Sequence, residues 1–525
     1  MMPNYTPYHV HTELSLLDSC TNFKLYIDKA VEYGMKAICI TEHGNTYKHI
    51  EKKMYCDKKG IKFLFGVECY LTETLAEKVR DNYHTILIAR NSRGRAEIMN
   101  LIDISTQQSH MHYKNRISFD EFLNISDNVI KISACLASPL NKLSDDNPYL
   151  ERLLKHYDYY EIQYHNDKNK EQSQFNQKLY QYSLKYNKPL IVGTDTHSIN
   201  KYKAECRKIL KKAKKMSYDD EDSYDLTFKS YDELVEMFKI QNSLPMDIIL
   251  QAIENTNIMA DSCEDYEIDT SIKYPKLTDN DEDVFVNRIY EKLKYKLDNN
   301  VIDKDIRYYT QIKEEIRVFK KLNMCSFMLF MSEMLSWCKD NSIPTCPCRG
   351  SVGGSTIAFI LDITEVDPIK WGTIFSRFAN EDREEVGDID CDFAPYQQEI
   401  VQKYIMDRFG LDYACYILSI GTISDKGTID DIGRALDYPI SKVKEIKNLY
   451  DKNPELARKE YNELFYYFDG LIGTTVSQGF HPAGVVASPI TLTDNYGTFW
   501  NGNNKIMQID MEEVHECGLV KYIRT

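Results

Sequence analysis

The sequence predicts a mixed chain in two parts, an N-terminal α/β region closed as a (β/α) barrel and an α+β second half. Three observations predict it. Through residues 8–197, short apolar runs that carry a polar residue at one end alternate with helix-like segments. Further on, "CRGSVGGSTIAF" (348–359) sets small residues ahead of a helix pattern. Finally, "EEVGDIDCDF" (384–393) places Asp388, Asp390 and Asp392 on alternate positions between Ile389, Cys391 and Phe393. In a strand this alternation aligns three carboxylates on one face at intervals of roughly 7 Å. Such a stack repels itself unless a cation lies between its members.

The first part contains seven runs: "YHVHT" (8–12), "KAICITEHG" (36–44), "FLFGVECYL" (63–71), "HTILIAR" (84–90), "VIKISACLA" (129–137), "YYEIQYH" (159–165) and "PLIVGTDTH" (189–197). Their alternation with helical segments predicts parallel strands closed into a barrel. His9, His11, His43, Glu68, His84, Cys135, Asp195 and His197 stand at run ends. Barrel sites collect at the C-terminal ends of strands, so these side chains are expected to converge. A lone histidine beside a strand is ordinarily a packing residue. "HVH" and "DTH" carry more, because alternate spacing aims both side chains the same way. Imidazole, carboxylate and thiolate together suit zinc, manganese or iron, and clusters of this kind hold several ions that hydrolyse phosphate esters.

"KKAKKMSYDDEDSYD" (211–225) switches from basic to acidic and marks a boundary. Beyond it, Ser230 with Glu233 reads as a capping box, and "AIENTNIMADSC" (252–263) reads as a helix. "LTDNDEDVF" (277–285) reads as a solvated acidic loop. From 305 to 340, Ile312, Ile316, Phe319 and Leu322 at helical spacing predict long packed helices. In the Gly-rich stretch, Gly350 and its neighbours admit close approach of an anion to backbone N–H groups. The following helix N-terminus favours negative charge, while Arg349, Ser351 and Ser355 add donors. No Gly-Lys-Ser/Thr follows, so it is not a Walker A loop, and a tight structural turn is the competing reading.

The 525 residues allow roughly two to four domains. No apolar run is long enough to span a membrane, and "MMPNYTPYHV" lacks the blocks of a signal peptide. The 14 cysteines are scattered, which predicts reduced thiols in a cytoplasmic protein rather than a disulfide framework. A net charge of −15 argues against nonspecific nucleic-acid binding, though not against an enzyme whose acidic residues hold metals.

"YHVHTELSLLDS", "ITEHGN", "GVECY", His84, "SACLA" and "GTDTHSIN" together resemble the polymerase-and-histidinol-phosphatase (PHP) domain. The resemblance implies the ligands His9, His11, Asp18, His43, Glu68, His84, Cys135, Asp195 and His197. Glu42 stands where relatives carry Asp and is expected to support the ligands from behind. His110, His112, His156 and His165 match no ligand position and are expected on the surface or in loops. The implied cofactor is a Zn²⁺, Mn²⁺ or Fe cluster, and the implied activity a phosphoesterase or 3′–5′ exonuclease. The stretch from "IPTCPCRGSVGG" to "DIDCDF" resembles the palm of the C-family replicative polymerases, the bacterial DNA polymerase III alpha subunits. So do "GTISDKGTIDDIGRALDYP" (421–439), "SQGFHPAGVVASP" (477–489) and "QIDMEEVHECGLVKY" (508–522).

That second resemblance implies a nucleotidyltransferase-like palm with a helical thumb and template-directed DNA synthesis. Asp390 and Asp392 would be the catalytic carboxylates holding two Mg²⁺ ions, with Asp388 a bystander. Arg349, Gly350, Ser351 and Ser355 would hold the dNTP triphosphate, and Arg377, Arg383 and Lys521 would contact phosphates. Lys426, Arg434 and His481 would face primer–template DNA. The expected organisation is a PHP domain (1–215), a helical linker and N-terminal palm (216–345), a palm core (346–420), a thumb (421–476) and a C-terminal palm segment (477–525).

The chain departs from the family in three places. Cys346-Pro347-Cys348 replaces Gly-Pro-Gly, and Gln397 and Gln398 stand where relatives carry basic residues. After "GLVKY", whose Tyr522 matches the aromatic residue of relatives, Ile523, Arg524 and Thr525 stand where relatives carry the third catalytic Asp and then Leu-Gly-Leu. Three readings are open: a split polymerase completed by a C-terminal polypeptide, a fragment with only the N-terminal hydrolytic activity, or a silent DNA- or subunit-binding module. A free-standing PHP phosphoesterase is the competing class. It leaves residues 340–522 unexplained.

Overall fold

The computed structural model describes residues 4–166, 169–216, 224–380, 389 and 391–522. Asp388, Asp390, Arg383 and residues 523–525 lie outside the described residues. The first part is built on β1 (Ala37–Ile40), β2 (Lys62–Thr72), β3 (Tyr83–Ala89), β4 (Met111–His112), β5 (Lys114–Ser118), β6 (Val129–Ile132), β7 (Tyr160–Ile162) and β8 (Leu190–Val192). β1, β6, β7 and β8 are buried at every position, as expected for strands covered on both faces.

Pairing runs β1–β2–β3–β6, then through a bridge from Ile132 to Tyr159 into β7 and β8. The ring closes where Val10 bridges Thr196 and the Thr41 amide donates to the Val10 carbonyl at 2.9 Å. The barrel is therefore closed as expected, but it is not all parallel. β3 runs antiparallel to both β2 and β6. The reason is the short link 73–82, which contains no helix; a parallel return needs about a dozen residues or more. Reversal of β3 brings its first residues to the end where the other strands finish. That is why His84 opens its run while the other ligands close theirs.

Helices cover the barrel by burying one stripe each. Phe23–Glu32 starts at Asn22, whose side chain accepts from the Lys24 amide, and buries Phe23, Tyr26, Ile27 and Ala30. The capping box of Ser230 and Glu233 is present and opens Tyr231–Gln241. That helix and Met246–Asp261 lie beyond the expected boundary at 215, yet both pack on the barrel. Asn255 donates to the Leu190 carbonyl at 2.7 Å, and the Thr6 amide donates to Thr256 at 2.9 Å. The acidic stretch 277–285 is not simply a loop. Asp281, Glu282 and Asp283 form the first turn of Asp281–Asp298, where carboxylates are favoured by the helix dipole. The long helices expected over 305–340 are Ile306–Lys321 and Cys325–Asp340.

A second sheet is ordered β11 (Thr498–Asn501), β12 (Asn504–Asp510), β9 (Ala414–Thr422), β10 (Thr475–Ala487), β13 (Val520–Lys521). Between β9 and β10 a helical insertion, Asp425–Ala435 to Asn462–Leu471, has its own core of Ile429, Ile432, Ile446, Phe465 and Phe468. That core includes Cys206 and Leu210 of Lys201–Ala213.

The two parts are locked together next to the barrel mouth. Gln508 Oε1 accepts from the Thr46 amide at 2.6 Å and its hydroxyl at 2.9 Å. Glu513 Oε1 accepts from the Ile50 and Glu51 amides, both at 3.1 Å, which caps the first turn of His49–Lys59. Asp103 accepts from Thr498 at 2.6 Å and from the Trp500 indole at 3.2 Å. None of the fourteen cysteines is joined in a disulfide.

Candidate metal centre

The nine expected ligands converge at one mouth of the barrel. Ligand atoms of His11, His43 and His197 lie within 4.8 Å of one another, as do those of His9, His11 and Asp195, and those of Glu68, His84 and Cys135. Glu68 joins the groups: Oε2 is 2.6 Å from His43 Nδ1 and Oε1 is 2.9 Å from His84 Nδ1. Neither contact is aligned as a hydrogen bond, and both Glu68 oxygens are buried without a hydrogen-bond partner. Asp18 Oδ2 lies 3.0 Å from His43 Nε2 and 3.4 Å from His197 Nε2. Cys135 Sγ is 3.6 Å from His84 Nδ1.

Hydrogen bonds on the far side of three rings set which nitrogen carries a proton. His9 Nδ1 faces Glu161 Oε1 at 2.7 Å, and His197 Nδ1 donates to the Asp195 carbonyl at 2.9 Å. His11 Nδ1 meets Ser15 Oγ at 3.1 Å, and that hydroxyl is committed to Glu42 at 2.6 Å. Each ring thus keeps its proton on Nδ1 and turns a lone pair on Nε2 inward. Among the described residues, the Nε2 atoms of His9, His11 and His197 are buried without hydrogen-bond partners. Buried polar atoms left unmatched cost stability, and here they all point at shared space. The donor set therefore fits divalent cations.

The charge pattern agrees. Burial pushes the His11 pKa down to about 3, helped by His43 and His197, so this ring is a neutral donor. Burial opposes ionisation of Glu68, Asp18 and Asp195, yet the groups facing them hold all three well below the usual carboxylate range. Those groups are His84 and His43 for Glu68, Arg207 for Asp18 and His9 for Asp195. Burial, with Asp195 and Glu68, raises the Cys135 thiol well above its ordinary value, so only a cation would draw its thiolate out. Glu42 sits behind the ligands as expected. It accepts from the Thr12 amide, Thr12 and Ser15 hydroxyls and Lys52.

Two residues are added by the structure. Glu161 is fully buried under His9 and also accepts from Tyr8 and Gln163. Gly193 makes room for it, since a Cβ there would lie 2.1 Å from the Glu161 carboxylate. His165, expected on the surface or in a loop, lies in the loop after β7 but is 2 % exposed and lines the cavity of about 230 Å³ above the centre. Burial lowers its pKa to about 4. The alternation Glu161, Gln163, His165 in "YYEIQYH" was the available signal, of the same kind as "HVH". His110 pairs with Glu121, and His156 ends the helix Leu150–His156.

In the second half, Asp392 forms an ion pair with Arg349. Ile389 and Cys391 beside it are buried, as the alternation predicts, though neither they nor Asp392 lie in a described strand. The Gly-rich stretch differs from an open anion cradle. Gly350–Gly354 is a 3-10 turn, with Gly350 at φ +76°. The N-terminus of Thr356–Ile360 is already filled by buried Glu315. Its carboxylate accepts from the Ser355 hydroxyl at 2.7 Å and the Thr356 and Ile357 amides at 2.8 and 2.9 Å. Ser355 is accordingly buried and committed to Glu315, while Arg349, Gly350 and Ser351 precede that cap.

Arg377 is exposed on the turn Phe375–Arg377, which abuts Gly354 so closely that a Cβ would meet the Ile374 carbonyl at 2.4 Å. His481 on β10 has its pKa lowered by burial and by Lys521 of β13. On Asp425–Ala435, Lys426 pairs with Asp451, and Arg434 pairs with Asp431 while donating to the Ala213 carbonyl. Gln398 and Gln402 both donate to the Pro482 carbonyl, at 2.7 and 2.6 Å, so Gln398, one of the two glutamines that stand where relatives carry basic residues, ties a helix to β10.

Comparison with known proteins defines the class of these two parts. Residues 7–168 match the PHP domain, and residues 283–522 match the bacterial DNA polymerase III alpha NTPase domain. The chain is homologous to the N-terminal half of DNA polymerase III alpha subunits. It is 29% identical to the subunit of Borreliella burgdorferi, aligning 98% of this chain with 47% of that one. Identity is 25% with the Aquifex aeolicus subunit (99% and 51% covered) and 27% with that of Campylobacter jejuni (99% and 48% covered). The chain thus spans about half the length of these relatives. Among the described residues no helix is long and apolar enough to cross a membrane.

Proposed function

We propose that the barrel centre is a metal-dependent phosphoesterase acting on the 3′ end of DNA, in a chain whose second half carries part of a DNA polymerase site. The observation that carries the first reading is the inward convergence of three Nδ1-protonated histidines on five further donors and a thiol. His9, His11, Asp18, His43, Glu68, His84, Cys135, Asp195 and His197 would hold the ions, with Zn²⁺ or Mn²⁺ best suited to this mix. Divalent ions there supply Lewis acidity toward a phosphate group and lower the pKa of water. The chain's own residues do the rest. Glu161, Ser15 and the Asp195 carbonyl hold protons on the outer nitrogens, Arg207 fixes Asp18 from behind, and burial keeps bulk water from competing.

For the second half, homology to polymerase subunits supports template-directed nucleotidyl transfer with primer–template DNA and dNTP. Asp390 and Asp392 would hold two Mg²⁺ ions, and Arg349, Gly350 and Ser351 the triphosphate. A further carboxylate and the fingers would come from polypeptide equivalent to the relatives' C-terminal half.

A 5′-labelled primer–template incubated with Mn²⁺ or Zn²⁺ tests the first reading. The primer should shorten, His9→Ala and Asp195→Ala should abolish shortening, and Asp392→Asn should leave it intact. A metal-loaded protein that leaves the primer untouched would sink the phosphoesterase. For the polymerase, extension after adding the complementing polypeptide should vanish in Asp390→Asn and Asp392→Asn.

A further inference from the structure

His165 is a polar side chain with an unusual position. Its backbone is anchored by Gln241, whose amide donates to the His165 carbonyl at 2.7 Å. Its ring stacks on Tyr224 with centroids 4.7 Å apart and 20° between planes, and packs against Tyr164 on another side. The ring is therefore held in one orientation, 2 % exposed, yet among the described residues neither Nδ1 nor Nε2 has a hydrogen-bond partner. A buried imidazole without partners costs stability unless something else satisfies it.

The cavity it lines says what that would be. Its walls include His43, His84, Cys135, Asp195 and His197 of the metal centre, with Lys142 exposed at the rim. Yet none of the three groups of converging donors contains His165, so its nitrogens stand back from the ligand atoms. A donor set back from the cations, in the same cavity and beside a lysine, suits an anion bridging the two. In either protonation state the ring offers at least one N–H. We propose that His165 binds a non-bridging oxygen of the phosphate group seated on the metal centre, with Lys142 adding charge at the entrance. This rests on the phosphoesterase reading and deepens it by naming a residue that holds the phosphate but not the metal.

The test uses the full chain loaded with Mn²⁺, with inorganic phosphate as the probe in calorimetric titrations and metal content measured by mass spectrometry. His165→Phe keeps the ring and its stacking but removes both donors; His165→Gln keeps a donor. Phosphate affinity should fall about tenfold or more in the Phe variant, as expected for a lost hydrogen bond to a charged group. It should recover at least partly in the Gln variant, with metal content unchanged in both. Unchanged phosphate affinity in a folded Phe variant would overturn the proposal and leave the phosphoesterase standing. A fall in bound metal would make His165 a ligand and overturn it too. Failure of the wild-type, metal-loaded chain to bind phosphate would overturn both readings together.

Discussion

Replacing Glu161 by Gln probes the logic of the metal centre without touching a ligand. The carboxylate accepts three donors: His9 Nδ1 at 2.7 Å, Gln163 Nε2 at 2.6 Å and the Tyr8 hydroxyl at 2.9 Å. An amide of the same volume still fits the space left by Gly193, but one of its two ends is itself a donor. At least one existing donor then faces another donor, and His9 loses the charge that holds its proton on Nδ1. Loss of such an outer carboxylate typically costs about 10–100-fold in metal affinity, or roughly 1.4–2.7 kcal/mol. Competition of the apo protein against a chromophoric Zn²⁺ chelator measures this, with circular dichroism as the folding control. Affinity unchanged in a folded Glu161→Gln protein would refute the claim that the outer hydrogen bond prepares Nε2 for a cation.

Three other outcomes are expected. Gly193→Ala should mimic the Glu161 change, because its Cβ would displace the carboxylate from 2.1 Å; the same chelator competition reads it. Glu513→Ala should destabilise the junction of the two parts by about 1–3 kcal/mol, since the Ile50, Glu51 and Asp510 amides lose their acceptor. A fall in urea midpoint at unchanged metal content checks it. His49 is buried beside Phe65, and burial, followed by Arg95, lowers its pKa to about 3. Its folded pKa lies below the unfolded value of about 6.5, so its contribution is present above that pH and lost as pH falls toward 3, by up to about 1.4 kcal/mol per pH unit. Urea unfolding at pH 7, 6 and 5 should show a shallower decline in His49→Gln than in the parent; equal slopes would contradict this.

The sequence by itself determined the closed barrel and which polar residues stand at the ends of its runs. Residue type and position alone mark His9, His11, Asp195 and His197, because alternate spacing and strand ends are local properties. The capping box at Ser230 and the helices after 305 were legible for the same reason. Tertiary structure decided what depends on partners distant in sequence. Reversal of β3 follows from a link too short for a crossover, and it brings His84, which opens its run, to the end where the other strands finish. The helix N-terminus after the Gly-rich stretch reads as an anion site until Glu315, forty residues earlier, is seen to fill it. Glu161 and His165 read as ordinary members of a strand run. Only the closed barrel sets one beneath His9 and the other over the cavity, because a side chain's role here depends on which buried donors and acceptors it meets across the ring.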